Sequence, residues 1–194
     1  MTIGRPKQFN PDVALQKATY LFWQKGYEAT STTDLMKAMG LSKSSLYQTF
    51  GSKKQLFEQC VAYYGADNVT LLKKMQQEHS SPLQFLIGLF RFAIDPERNP
   101  ETHLGCMMVN SACELAEVDD FKPKIRYQMD KTHSLIQESV EEAQKIGEIT
   151  GQLSAKEIAD YIFANLCGLR VIGRMNNNQK TLNNIIDMTF STII

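Results

Sequence analysis

Two short helical patterns joined by Gly40-Leu41-Ser42 restrict this chain more than any other feature of its 194 residues. Ser31 or Thr32 opens the first pattern, and Ser31-x-x-Asp34 has the form of a capping box. Gly40 supplies the positive φ that a tight turn demands. Ser42 caps the second pattern, which runs to about Phe50. Leu35, Met39, Leu41, Leu46 and Phe50 are spaced to pack the two helices on each other. That leaves Lys43, Ser44, Ser45, Tyr47 and Gln48 facing outward. A glycine-bearing, three-residue connection between two such helices is the arrangement of a helix-turn-helix. Short hydroxyls, an amide, a phenol and a cation are types that reach base edges and phosphates in a major groove.

The rest of the chain predicts helices as well. Asn10-Pro11-Asp12 starts one that Gly26 ends. Gly51-Ser52 starts a fourth, reaching about Glu78, with Lys53 where an ammonium and a helix N-terminus together favour a phosphate. Ser81-Pro82 opens a fifth that Asp95-Pro96 stops. Asn99-Pro100-Glu101 opens a sixth, and Asp119 or Asp120 a seventh that reaches Gly147. Ser154-x-x-Glu157 is a capping box for an eighth. The polar run 176–179 separates it from a ninth. Nine helices without β alternation predict an all-α protein.

Charge divides the chain in two. The formal net charge is zero, with 21 basic against 21 acidic residues. Residues 1–57 carry eight basic and three acidic side chains, a net +5, so the remainder carries −5. Such asymmetry points to nucleic acid or an anionic surface as a partner of the first part. The apolar stretches near Phe85–Phe90 and Tyr161–Leu169 fall far short of the ~20 residues a bilayer needs. No apolar run follows the charged N-terminus, so no signal peptide is expected and the expected location is the cytoplasm. The four cysteines form no C-x-x-C pair and are expected as thiols, with no metal site and no cofactor.

From Gly26-Tyr27-Glu28-Ala29-Thr30-Ser31-Thr32 through Leu41-Ser42-Lys43-Ser44-Ser45-Leu46-Tyr47-Gln48-Thr49-Phe50-Gly51-Ser52-Lys53-Lys54-Gln55-Leu56, the sequence resembles the TetR family of bacterial transcription regulators. The likeness covers about residues 8–57. Ser44 stands where that family often has Gly, and Met36 where a small Ala is usual. The resemblance implies a nine-helix architecture with a helix-turn-helix DNA-binding domain over 1–55 and an effector-binding and dimerisation domain over 56–194. It implies phosphate contacts from Thr32, Thr33, Tyr47 and Lys53, and base reading by Ser44, Ser45 and Gln48. Lys43 is expected to add a cation there, and Arg5 and Lys7 to form an arm near the minor groove. It further implies a repressor that binds a palindromic operator as a homodimer and leaves it when an effector binds.

In the second part, Ile158, Ile162, Leu166, Leu169 and Ile172 make one apolar stripe, and Ile185, Ile186, Phe190 and Ile193 another. By resemblance these form a dimer seam, with Ile158, Ile162, Leu169, Ile172, Ile186, Phe190 and Ile193 as its residues and with Gly168 and Gly173 permitting close approach. The middle helices are expected to hold an effector pocket. Its aromatic and soft candidates include Phe85, Phe92, Met107, Met108, Tyr127, Met129, Tyr161 and Phe163, and its polar anchors Asn110, Ser111, His133, Asn165 and Arg170. Cys106 follows Gly105 at a helix start, where a thiolate is favoured, so an apolar or an electrophilic or oxidising effector is expected. Cys113 lies two turns on, too far for a bond to Cys106 along one helix.

Two other classes compete. An enzyme would need a motif, and the chain has no G-x-G-x-x-G, phosphate-binding loop, H-E-x-x-H or nucleophile elbow. A helical interaction module without DNA binding would not need the outward hydroxyl and amide set on the third helix.

Overall fold

A computed structural model describes residues 9–175 and 178–194, and every regular element among them is helical. The α-helices are α1 (Pro11–Lys25), α2 (Thr32–Met39), α3 (Lys43–Phe50), α4 (Lys53–Glu78), α5 (Pro82–Ile94), α6 (Met107–Leu115), α7 (Lys122–Lys145), α8 (Ala155–Met175) and α9 (Gln179–Ser191). They divide into two compact units, the first ending at Tyr64 and the second spanning Gly65–Ile194. The division falls inside α4, because Leu56, Phe57, Cys60 and Val61 are buried with the first three helices.

The predicted caps form. The Asn10 side chain accepts from the backbone N–H of Asp12 at 2.8 Å. Ser31 and Asp34 make the reciprocal box: the Asp34 N–H donates to Ser31 Oγ at 3.0 Å and the Ser31 N–H to Asp34 Oδ2 at 3.2 Å. Ser154 and Glu157 do the same for α8. Each such cap stabilises its helix by about 1 kcal/mol. In the first unit Ala14, Ala18 and Phe22 of α1, Leu35 and Met39 of α2, Leu46 and Phe50 of α3, and Phe57 of α4 are all buried. Phe22 and Phe57 cross edge to face at 5.0 Å. Burying a side chain of Phe22's size contributes about 1.5–3 kcal/mol.

The second unit is built on a core of α5, α7, α8 and α9, with Phe90 edge to face on Phe190 at 5.1 Å. The sixth helix differs from expectation. Asn99 makes no side-chain cap, and Pro100–Leu104 winds as a 3₁₀ turn. Gly105, at φ 72°, ends it, and α6 begins two residues later. A Cβ at Gly105 would lie 3.2 Å from the Arg170 carbonyl oxygen of α8, so the chain breaks where its backbone passes close to α8.

The stripe predicted as a dimer seam requires correction. Ile158, Ile162, Leu169, Ile186, Phe190 and Ile193 are all buried in the unit's own core. Only Ile172 of the seven is exposed. The outer face of α8 instead carries Tyr161, Ala164, Gly168, Val171, Ile172 and Met175, all exposed. A Cβ at Gly168 or Gly173 would meet nothing within 4 Å. The more apolar stripe is claimed by the core, and the face left open is the less obvious one.

Candidate nucleic-acid interface

Local chemistry aims α3 outward. Gly40 sits in the left-handed region at φ 69°, ψ 33°, and reverses the chain after α2. The Ser45 N–H donates to Ser42 Oγ at 3.2 Å, which fixes the first turn of α3. Leu46 and Phe50 anchor the helix from below. Lys43, Ser44, Tyr47 and Gln48 are exposed as predicted, and Thr33 on α2 with them. Thr32 and Ser45 are half-buried, and the Ser45 hydroxyl lies 2.9 Å from that of Ser42. Arg5 and Lys7 lie outside the described residues.

The start of α4 completes the surface. Gly51 turns the chain at φ 75°. Ser52 and Gln55 then form a second reciprocal box, Ser52 N–H to Gln55 Oε1 at 2.9 Å and Gln55 N–H to Ser52 Oγ at 3.2 Å. Lys53 follows directly, its Nζ 4.3 Å from the centroid of the Tyr27 ring. Tyr27 packs on Phe57 at 4.9 Å, and burial raises its phenol above the ordinary 10.0. Tyr27 is the residue that sequence reasoning missed. Its signal in the sequence is an aromatic directly after the helix-ending Gly26, and its role follows from Lys53 lying over the ring. The cations Lys43 and Lys53 are groups that position phosphates, and the exposed hydroxyl, phenol and amide groups of α2 and α3 are hydrogen-bonding groups.

The second unit holds a cleft of about 470 Å³, open mouth included, walled by α4, α5, α6, α7 and α8. Of the ten predicted pocket residues, only Cys106 lines it. Phe85 and Met107 are core residues, 1% exposed, Ser111 is buried and Phe92 packs against the core. Asn110 Nδ2 donates to the Leu104 carbonyl, and Asn165 Nδ2 to that of Tyr161. Tyr127 and Tyr161 face outward, with Lys131 Nζ over the Tyr127 ring. His133 lies 2.7 Å from Asp160 at the surface of the α7–α8 seam. These nine therefore do not form the cleft. Met108, Met129, Phe163 and Arg170, all noted from sequence, do line it. So do Asn68, Leu72, Thr132 and Cys167, which sequence did not suggest; the Asn68 side chain donates to Thr132 Oγ1 at 3.2 Å.

Helices α1–α4 with this outward set define a helix-turn-helix DNA-binding regulator, and the comparisons with known proteins agree. Residues 14–60 match the model of the bacterial regulatory proteins of the tetR family, and residues 82–189 match that of the tetracyclin repressor-like C-terminal domain. The chain belongs to the TetR family of transcription regulators. It is 29% identical over 189 residues to the HTH-type transcriptional repressor ComR of Escherichia coli, covering 96% of this chain and 90% of that protein. It is 25% identical to the HTH-type regulator YezE of Bacillus subtilis over 98% of this chain and all of that one. Among solved structures it is similar to a cysteine mutant of the TetR family regulator CifR complexed with 26-bp operator DNA (TM-score 0.83, 24% identity, 98% of this chain and 100% of that one). It is also similar to the reduced form of Escherichia coli NemR (TM-score 0.82, 16% identity, 94% and 96%). These two likenesses concern the fold. No helix among the described residues is long and apolar enough to cross a membrane.

Proposed function

We propose that this regulator is a cytoplasmic repressor that binds a palindromic operator as a homodimer and releases it when an effector occupies the cleft in the second unit. The observation that carries this reading is the exposed set on α3, Lys43, Ser44, Tyr47 and Gln48, held by the Gly40 turn and the Ser42 cap beside Lys53. Ser44 and Gln48 read bases; Thr33, Tyr47 and Lys53 position the phosphates. One eight-residue recognition helix makes few contacts, so two protomers bind half-sites about 34–36 Å apart. The outer face of α8, from Tyr161 to Met175, is the proposed seam, because it is an apolar strip that the described residues leave exposed.

The effector is an apolar small molecule or one that reacts with thiols. Leu72, Leu89, Met108, Val109, Phe163 and Leu166 support the first property, and Cys106 and Cys167 the second. The repressors among the relatives support the direction of control. Helix α4 contributes Lys53 to the first unit and Asn68 and Leu72 to the cleft, so a shift of this helix couples the two sites. Effector and operator then weaken each other's binding by the same factor. A mobility shift with the DNA flanking the gene, with and without candidate effectors, tests the proposal. Retention no stronger than on unrelated DNA would overturn it.

A further inference from the structure

One full charge stands in a largely apolar cleft. Among the described residues that line the cleft of the second unit, Arg170 is the only Lys, Arg, Asp or Glu. It is half-buried on α8, and its guanidinium makes no hydrogen bond or ion pair with any described residue. Other cations of α8 are placed differently: Lys156 pairs with Asp160 at 2.6 Å, and Arg174 is exposed. A guanidinium does not shed its proton in a protein, so it cannot become neutral to suit its surroundings. Half out of water and without a counter-ion, it carries a desolvation cost that an anion in the cleft would offset.

The other polar groups of the cleft do not supply that anion. Asn68 Nδ2 donates to Thr132 Oγ1 at 3.2 Å, which makes a neutral pair. Burial pushes the Cys167 thiol up to about 12, with Cys106 adding to the rise and Arg170 opposing it. That thiol is therefore protonated at neutral pH, and the opposing effect means that the Arg170 charge is felt inside the cleft. A Cβ at Gly105 would lie 3.2 Å from the Arg170 carbonyl oxygen, so the segment leading into α6 passes this turn of α8. No side chain caps the first turn of α6, whose peptide dipoles add to the field that favours an anion.

We propose that the cleft binds an amphipathic monocarboxylate, its carboxylate paired with the Arg170 guanidinium and its alkyl or aryl body among Leu72, Leu89, Val109, Met129, Phe163 and Leu166. This rests on the reading of the cleft as the effector site and gives the apolar effector an acidic head. A planar carboxylate accepts two parallel N–H bonds from a guanidinium. One cation suits one negative charge, whereas a phosphate monoester, with up to about two, would leave charge uncompensated. The volume of about 470 Å³, open mouth included, is within the range of small-molecule sites. A neutral alcohol of the same shape fills the apolar part but leaves Arg170 without a counter-ion.

The test is isothermal titration calorimetry of the full-length protein with octanoate and cinnamate, and with octanol and cinnamyl alcohol as their neutral counterparts. The expected result is one acid per protomer, bound at least tenfold more tightly than its alcohol. Arg170→Gln should erase that preference, and Arg170→Lys, which keeps the charge but not the fork, should retain part of it. Alcohols bound as tightly as the acids, binding of neither acid, or an undiminished preference in Arg170→Gln would overturn the assignment. The wild-type comparison decides even where a variant fails to fold. In a second arm the acids are added to the protein–operator complex, and release is expected at the concentrations that fill the cleft. Acid bound through Arg170 without release would keep the carboxylate site and overturn the effector reading. Should the ligand-free protein fail to bind operator DNA, the DNA-binding reading fails, while the titrations still decide the carboxylate site.

Discussion

The Lys53 ammonium is held 4.3 Å above the ring of Tyr27, which is itself packed on Phe57. A long side chain at a helix start would otherwise sample many positions; here the aromatic face restricts it. A cation over a half-buried ring such as that of Tyr27 contributes about 0.5–1 kcal/mol. Tyr27→Leu should therefore weaken operator binding about two- to fivefold by anisotropy, while Tyr27→Phe, which keeps the ring, should not. Lys53→Ala should in addition reduce the slope of log affinity against log salt by about 0.9, one phosphate contact. An unchanged slope would remove Lys53 from the phosphate set.

Gly40 offers a test of the turn. Its φ of 69° is left-handed, yet a Cβ there would meet nothing within 4 Å. Gly40→Ala should thus cost only backbone strain, about 1–2 kcal/mol of stability in urea unfolding. A neutral result would mean that the turn relaxes and does not aim α3 as described.

The two faces of α8 should respond differently. Ile162, fully buried, should lose about 2–5 kcal/mol of stability on truncation to Ala without loss of the dimer. Ile172→Glu combined with Met175→Glu, on the exposed face, should give monomers in sedimentation at micromolar concentration with near-native stability. Dimers that survive the double charge would place the seam elsewhere.

Acid should loosen the cap of α2. The Ser31 hydroxyl, then the Ser31 backbone N–H, hold the Asp34 carboxyl below its ordinary 3.8, with Lys25 at 3.4 Å assisting. A carboxylate whose folded value is depressed contributes stability above its unfolded value and loses that contribution as pH falls through the folded one. Asp34→Asn should be less stable than wild type at neutral pH and show a flatter decline below about pH 4. Parallel curves for the two proteins would exclude the carboxylate as the source.

The first unit was legible because its determinants are local. Ser31 and Asp34, Gly40 and Ser42 act within a few residues of themselves, so a linear reading finds them. The cleft was not, because its walls come from positions between Asn68 and Arg170 on five helices. Tyr127 and Tyr161 looked like lining by size and hydropathy, but their helical phase turns them outward. The same phase question inverted α8: periodicity found a stripe without saying which body it faces. Gly105 read as a helix start, and only the passage of α8 behind it explains why the chain breaks there.

The central claim is that α3 and Lys53 read an operator. Its most direct test is an anisotropy titration at about 150 mM salt, using the DNA flanking the gene, with wild type, Gln48→Ala and Lys53→Ala in parallel. The account predicts saturation at two protomers per palindrome and affinity well above that for unrelated DNA. Discrimination should be lost in Gln48→Ala, and affinity should fall uniformly across sequences in Lys53→Ala. Equal binding of flanking and unrelated DNA by the wild type, or full discrimination in Gln48→Ala, would contradict it.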